Sequence, residues 1–128
     1  MDETYVSEVM TKDVTACSPE TAIKDVINIL SRNRRSSLVI IENNEPVGII
    51  TERDLVAIME DMLNDVVCDH LSIDKFMTSP TITIDSHMTL KEAVKISINK
   101  NIRHLPVVDK DNKLIGLLTQ PNMLIGLL

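Results

Sequence analysis

The sequence predicts a mixed α/β (α+β) fold made of two pseudo-symmetric repeats, each a short strand, a helix, a β-hairpin and a second helix. The first observation behind this prediction is an internal repeat, since an offset of 67 residues aligns Met10-Thr11 with Met77-Thr78 and Leu38 with Leu105. The second is the alternation, within each copy, of stretches with helical periodicity and short runs of Val, Ile and Leu. We therefore expect two copies of one supersecondary unit, in residues 6–63 and 73–128.

The first repeat begins with a lead-in turn at residues 6–10 and a short extended piece at residues 14–17. A helix is expected next, because apolar residues recur at helical spacing and polar residues fill the other face. The apolar positions of that helix are Ala22, Ile23, Val26, Ile27 and Leu30. Residues 38–41 and 47–50 are short, mostly β-branched runs separated by a polar segment, which is typical of a hairpin of buried strands.

The helix that closes the first repeat has a broader apolar face than one core neighbour needs. Its apolar residues are Leu55, Val56, Ile58, Met59, Met62 and Leu63. We expect this helix to be packed on two sides, the second of them at a subunit interface.

The second repeat replays the same order of elements. A lead-in at residues 73–77 and a strand at residues 81–84 precede a helix that opens with a capping box, Thr89 to Glu92. Strands at residues 105–109 and 113–118 follow, and then a short helix with Pro121 in its first turn. The offset becomes 68 after residue 109, so the turn at residues 109–112 holds one extra residue. Residues 64–72 lack the composition of a flexible linker and predict an ordered connector.

The composition limits the classes of function. A hydrophobic content of 44% in 128 residues predicts a substantial core, and a net charge of −6 disfavours nucleic acid as a partner. Cys17 and Cys68 have no CxxC spacing, so we expect inert thiols and neither a disulfide framework nor a zinc site. The acidic N-terminus and the absence of a long apolar run predict a cytoplasmic protein with no membrane partner.

The clearest motif is the stretch of residues 48–54, Gly-Ile-Ile-Thr-Glu-Arg-Asp, which recurs as Gly-Leu-Leu-Thr-Gln-Pro-Asn at residues 116–122. Asp54 can accept hydrogen bonds from both hydroxyls of a ribose, while the Thr51 hydroxyl and the N–H groups at the helix start suit a phosphate. Arg53 adds a positive charge nearby. The same spacing also fits simple helix capping, with Thr51 as the N-cap and Asp54 at the positive end of the helix.

The order of elements, together with this motif at the end of both copies, resembles the CBS domain pair (the cystathionine β-synthase domain tandem, or Bateman module). The resemblance implies that the two repeats pack through their sheets and form two clefts that bind adenosine-type ligands, each cleft being shared between the repeats. For the Asp54 cleft it implies Thr51, Arg53, Asp54, Ser37, Ile82, Ile102 and Arg103. For the second cleft it implies Thr119, Asn122, Thr15, Arg35, Ser36 and His104.

The function that follows is a regulatory sensor, with AMP, ADP, ATP or S-adenosylmethionine as the regulatory ligand and no required cofactor. No catalytic or metal-binding set is found, so an enzyme is not expected. The resemblance further implies a homodimer, and ligand binding would change dimer geometry or the affinity for an unidentified regulated protein. A ligand-free dimerisation or scaffold module is the alternative, and a nucleic-acid-linked regulator has less support. The second cleft is expected to be weaker, because Asn122 and Pro121 replace the carboxylate and the arginine.

Overall fold

The computed structural model describes residues 3–128; Met1 and Asp2, the first residues of the acidic N-terminus, lie outside the described residues. Two three-stranded sheets with flanking helices confirm the predicted mixed α/β fold. The elements in chain order are α1 (Val6–Val9), β1 (Ala16–Cys17), α2 (Ile23–Asn33), β2 (Leu38–Glu42), β3 (Glu45–Ile50), α3 (Glu52–Leu63), a 3-10 turn (Ile73–Lys75), β4 (Ile84–Asp85), α4 (Leu90–Lys100), β5 (His104–Val108), β6 (Leu114–Thr119) and α5 (Gln120–Leu127).

The chain forms two compact units whose limits differ from those of the sequence repeats. Thr15–Thr81 form the first, called here the β1–β3 unit, and Ile82–Leu128 form the second, the β4–β6 unit, together with residues 3–14. Each lead-in segment therefore belongs to the unit built from the other repeat. The lead-in at residues 73–78 packs in the β1–β3 unit, and the lead-in at residues 6–11 packs in the β4–β6 unit.

The sheet of the β1–β3 unit combines a parallel and an antiparallel pair. Strand β1 lies parallel to β2, and β2 lies antiparallel to β3 with Leu38 opposite Ile50. The hairpin turns through Asn43 and Asn44, both at positive φ, a conformation that Asn tolerates and that a two-residue hairpin turn requires. One side of the sheet and helices α2 and α3 enclose a core of aliphatic residues: Ile23, Val26, Leu30, Leu38, Ile40, Ile50, Ile58 and Ile73.

The β4–β6 unit repeats this arrangement with a longer hairpin loop. Strand β4 lies parallel to β5, and β5 lies antiparallel to β6 with Leu105 opposite Leu118. The carboxylate of Asp109 accepts hydrogen bonds from the N–H groups of Asp111 at 2.9 Å and Lys113 at 3.0 Å, which closes the loop. This loop begins at Asp109, and it accommodates the extra residue that changes the repeat offset from 67 to 68.

The predicted strand at residues 81–84 is wrong in extent. Only Ile84 and Asp85 pair with β5, opposite Val107 and Val108, while residues 81–83 have no strand pairing. The alternation of Thr and Ile predicts a longer strand. A strand also needs a neighbouring strand to pack and bond against, and β5 provides one only for Ile84 and Asp85. Strand β1 is equally short.

The repeated Met-Thr dipeptides have a structural explanation, because each lies against a glycine of the neighbouring hairpin. A Cβ at Gly48 would clash with the sulfur of Met77, and a Cβ at Gly116 would clash with the sulfur of Met10. The following threonine is then held by a pair of backbone hydrogen bonds, since the Thr78 N–H donates to the Ile49 carbonyl at 2.9 Å and the Thr78 carbonyl accepts from the Ile49 N–H at 3.1 Å. The glycines therefore serve close packing of the lead-in segments.

Residues 68–72 of the connector are bonded to the start of α2. The N–H groups of Ile23 and Lys24 donate to the carbonyls of Leu71 and Asp69, both at 2.9 Å. These carbonyls accept from N–H groups that an N-cap side chain usually serves, because the N-cap residue is Ala22, whose side chain has no acceptor. Backbone from the connector thus replaces the missing cap.

Helix α3 buries one face and leaves a second apolar face in solvent. Ile58 is buried, whereas Val56, Met59 and Leu63 are 46%, 54% and 84% exposed. Helix α5 has a similar exposed set, Leu124, Ile125 and Leu127. Among the described residues, no helix combines the length and the apolar character that crossing a bilayer requires.

Candidate functional site

The first half-site lies where β3 ends and α3 begins. Thr51 is the N-cap of α3 and Asp54 is its third residue, and together they form a capping box. The Asp54 Oδ2 accepts a hydrogen bond from the Thr51 N–H at 3.0 Å, so the carboxylate satisfies one of the donors at the helix start. The capping interpretation of this spacing is therefore confirmed. A ligand could bind Asp54 only through the carboxylate lone pairs that the protein donors leave open.

Thr78 is a member of this half-site that the sequence analysis missed. Its hydroxyl lies 3.3 Å from Asp54 Oδ1 and 3.4 Å from Asp54 Oδ2. A hydroxyl has one proton and can donate to only one of these oxygens at a time. The sequence signal for Thr78 is the recurrence of Met-Thr in both lead-in segments, which by itself does not show what the threonine contacts.

The Asp54 carboxylate keeps open acceptor positions after these contacts. Two carboxylate oxygens offer about four lone-pair positions. Among the described residues, the Thr51 N–H and, at 3.5 Å, the Thr51 hydroxyl donate to Oδ2, and the one Thr78 proton is shared between the two oxygens. Because the side chain is half-buried and is fixed on one side only, Oδ1 can accept further donors from a ligand.

The second half-site has the same backbone geometry at the start of α5. Thr119 is the N-cap, and its hydroxyl accepts a hydrogen bond from the Asn122 N–H at 3.4 Å. Asn122 Oδ1 accepts from the Thr119 N–H at 2.9 Å and from the Thr11 hydroxyl at 3.3 Å. Thr11 thus occupies the position that Thr78 has in the first half-site, and it was missed for the same reason.

The structure also places the other predicted residues of the β1–β3 unit. Ser37 directly precedes β2 and Thr51 directly follows β3, so both lie at the same end of the sheet, next to the pair Leu38 and Ile50. Arg53 is exposed on the first turn of α3. Thr15 precedes β1, and Arg35 and Ser36 are exposed in the segment between α2 and β2. Ser37, Thr51, Arg53 and Asp54 are therefore grouped at one end of this unit.

In the β4–β6 unit, His104 and Thr119 face each other directly as paired residues of β5 and β6. Ile102 and Arg103 lie in the short segment between α4 and β5, and Ile82 precedes β4. The structure therefore groups His104, Thr119 and Asn122. The roles of Ile82, Ile102 and Arg103 toward Asp54, and of Thr15, Arg35 and Ser36 toward Asn122, stay predictions of the family resemblance.

The cysteines lie in the β1–β3 unit away from these half-sites in sequence. Cys68 is buried in the core, and Cys17 is half-buried at the edge strand. Burial raises the pKa of the Cys17 thiol, an effect that a hydrogen bond with Thr21 partly offsets. A raised pKa disfavours the reactive thiolate. Within residues 3–128, no group of three or more metal-ligating side chains is found.

These features define a protein of two α/β repeats in tandem. In each repeat, the helix after the hairpin begins with a threonine N-cap, and three residues later a carboxylate or an amide caps the same helix start. Residues 6–61 and 73–127 each match the model of the CBS domain. The chain belongs to the CBS domain family and contains two CBS domains in tandem.

Known relatives cover nearly the whole chain but are often longer. An uncharacterized protein of Methanopyrus kandleri, MK0525, is 38% identical over 125 residues, which are 97% of this chain and 63% of that protein. The inosine-5'-monophosphate dehydrogenase of Methanocaldococcus jannaschii is 32% identical over 118 residues, and the matching part is 22% of that enzyme. The chain thus spans less than two thirds of these two relatives.

A solved structure of similar size gives the clearest comparison. The CBS-pair protein CBSX2 of Arabidopsis thaliana, in complex with AMP, has a TM-score of 0.83 and 26% sequence identity. The similarity covers 97% of this chain and 96% of that one.

Proposed function

We propose that the chain is a regulatory module that binds an adenosine-containing ligand at the half-site formed by Thr51, Arg53 and Asp54. AMP, ADP, ATP and S-adenosylmethionine are the candidate ligands. The observation that carries this proposal is the Asp54 carboxylate, which the Thr51 N–H holds at 3.0 Å while one oxygen keeps open acceptor positions. The AMP complex of CBSX2 supports the class of ligand, because that protein is a CBS pair similar over nearly its full length.

The chemistry of the half-site fits a nucleoside phosphate. A ribose offers two neighbouring hydroxyl donors, and an ionised acceptor makes hydrogen bonds worth about 1.5–3 kcal/mol each. The Thr51 hydroxyl and the exposed Arg53 lie on the same turn and suit the phosphate end of the ligand. Aromatic residues are scarce in this chain, so the adenine base would lie against aliphatic side chains.

Isothermal titration calorimetry with AMP, ADP, ATP and S-adenosylmethionine tests this proposal. We expect saturable binding of at least one of the four, and a matching rise in the thermal unfolding midpoint, because a ligand that binds only the folded state stabilises it. GMP serves as the control for base recognition. Absence of binding and of any thermal shift with all four ligands would overturn the proposal.

A dimerisation module is the second candidate function, and the exposed apolar faces of α3 and α5 favour it. Val56, Met59 and Leu63 form a stripe on α3 that has no partner within the described chain. A second copy of the chain would cover such a surface. The two functions are compatible, since a ligand that prefers one arrangement of the dimer shifts the equilibrium by its difference in affinity.

Leu63→Lys tests the dimer, because Leu63 is 84% exposed and a charge there does not disturb the core. We expect the wild-type chain to sediment as a dimer in analytical ultracentrifugation and the variant to dissociate. Asn28→Lys, at an exposed polar position of α2, is the control and should remain dimeric. A monomeric wild-type chain would eliminate this second function and leave the ligand proposal intact.

A further inference from the structure

The exposed face of α3 combines apolar side chains with negative charge. Val56, Glu60 and Leu63 are spaced by four and three residues, so they share one face of the helix, and all three are exposed. The last turn of α3 has no basic residue, and no Lys or Arg occurs between Arg53 and Lys75. This surface, called here the α3 face, is therefore apolar and acidic.

The negative charge on this part of α3 is unfavourable in the isolated chain. Glu60 and Asp61 lie in the last turn of the helix, at the negative end of its dipole, where basic side chains are the stabilising ones. Neither carboxylate forms an ion pair with another residue in the part of the chain that the structure describes. A cation supplied by a partner would therefore stabilise this end of α3.

The exposed face of α4 has the opposite charge. Lys91, Lys95 and Ile98 are again spaced by four and three residues and share one face, and Ile98 is 72% exposed. The two lysines are four residues apart, a spacing at which like charges destabilise a helix. Glu92, the acidic residue of α4, accepts a hydrogen bond from the Thr89 hydroxyl at 3.0 Å. This α4 face is therefore apolar and basic.

The internal repeat allows a comparison with α2, the helix that corresponds to α4 in the first repeat. With the offset of 67 residues, the positions of the α4 face correspond to Lys24, Asn28 and Ser31, which are exposed. At the last two positions α2 thus has uncharged polar side chains, where α4 has a lysine and an isoleucine. The α4 face therefore complements the α3 face better than α2 does, both in charge and in apolar surface.

Pairing of the α3 face with itself is disfavoured by its charge. In a contact across a two-fold axis the same surface is used on both copies, so Glu60 of one copy would lie near Glu60 of the second. Like charges brought together at an interface oppose association. Pairing with α4 avoids this repulsion, because Glu60 precedes Leu63 by three residues just as Lys95 precedes Ile98.

We propose that the α3 face of one copy of the chain packs on the α4 face of a second copy, with Leu63 against Ile98 and Glu60 near Lys95. A two-fold dimer makes this contact twice. The inference rests on the dimer that was given above as the second candidate function. It adds which surfaces meet, and it places the β1–β3 unit of each copy against the β4–β6 unit of the other.

Charge reversal tests the contact in analytical ultracentrifugation of the full chain. Glu60→Lys and Lys95→Glu should each weaken the dimer at least about tenfold at low salt, because each brings like charges together in two contacts per dimer. Glu60→Lys/Lys95→Glu exchanges the two charges, and we expect a dimer within about threefold of the wild-type affinity. Asn28→Glu, at the α2 position that corresponds to Lys95, is the matched control and should leave the dimer unchanged.

Disulfide cross-linking locates the same contact. Equal amounts of the Leu63→Cys chain and the Ile98→Cys chain, mixed and oxidised in air, should form a disulfide between the two variants, which mass spectrometry identifies. The bond reports proximity, because it joins residues whose Cα atoms are about 4.4–6.8 Å apart. The wild-type chain is the control for the native thiols of Cys17 and Cys68.

The outcomes separate the contact from the dimer itself. A Leu63→Cys chain that cross-links to its own copy, with no product between the two variants, would overturn the inference and leave the dimer standing. A charge exchange that does not restore the dimer would do the same. A wild-type chain that sediments as a monomer would overturn the second candidate function together with the inference, and the ligand proposal would still be decided by calorimetry.

Discussion

Replacing Asp54 by Asn separates the capping role of this residue from its role in ligand binding. The carboxylate accepts the Thr51 N–H at 3.0 Å, and the structure contains its own example of an amide in the same position, since Asn122 accepts the Thr119 N–H at 2.9 Å. Asp54→Asn should therefore keep the cap. It removes the negative charge and, as in Asn122, turns the open acceptor into a donor.

The expected magnitudes differ between the two roles. Loss of a helix-capping hydrogen bond typically costs about 1 kcal/mol of stability, so Asp54→Ala, which removes the acceptor of the Thr51 N–H, should lower the free energy of unfolding by about that amount. Asp54→Asn should change it by only a few tenths, through the weaker interaction with the helix dipole. For AMP, both variants lose at least one charge-assisted hydrogen bond, about 1.5–3 kcal/mol, which corresponds to roughly a 10- to 100-fold weaker affinity.

Urea denaturation and calorimetry with AMP measure the two effects on the same samples. We expect Asp54→Asn to be nearly as stable as the wild-type chain and to bind AMP at least tenfold more weakly. Asn122→Ala is the matched control, which should lose about 1 kcal/mol of stability through its own cap and little AMP affinity. If Asp54→Asn binds AMP as the wild-type chain does, the carboxylate acts only as a cap and the reasoning is refuted.

Three further predictions concern a side-chain hydrogen bond, a left-handed backbone conformation and a close packing contact. Thr78→Val should weaken AMP binding about fivefold to tenfold, because the hydroxyl helps to orient the Asp54 carboxylate, while Thr11→Val should not; equal effects in calorimetry would contradict this. Arg34→Gly should raise the free energy of unfolding by about 0.5–1 kcal/mol, since Arg34 ends α2 at φ 52°, a left-handed conformation that glycine adopts freely; an unchanged urea midpoint would argue against that strain. Gly48→Ala should destabilise the chain by about 1–3 kcal/mol through the clash with Met77, and adding Met77→Ala should recover part of the loss; no recovery in thermal unfolding would contradict the contact.

The architecture was predictable because its signals are local. The apolar runs at residues 38–41 and 47–50, with turn residues between them, specify a hairpin without any tertiary information. The helical periodicity of α2 and the capping residues Thr51 and Thr89 fix where helices begin. The edge strand β4 was less predictable, since its length depends on how far it reaches β5 and not on its own composition.

The lead-in threonines could not be assigned from the sequence, and the reason is the sequence separation. Thr78 is 24 residues from Asp54 and Thr11 is 111 residues from Asn122, so only the folded chain brings these pairs together. The Met-Thr dipeptide is visible in both repeats of the sequence. Its presence in both does not show which residues the methionine and the threonine contact. The packing of each methionine on a glycine supplies that missing step.

A crystal structure of the chain grown with AMP tests the central claim most directly. We expect AMP at the first half-site, with its ribose hydroxyls within hydrogen-bonding distance of Asp54 Oδ1 and with Thr51 and Arg53 near its phosphate. AMP absent from Asp54, or bound only at Asn122, would contradict the account.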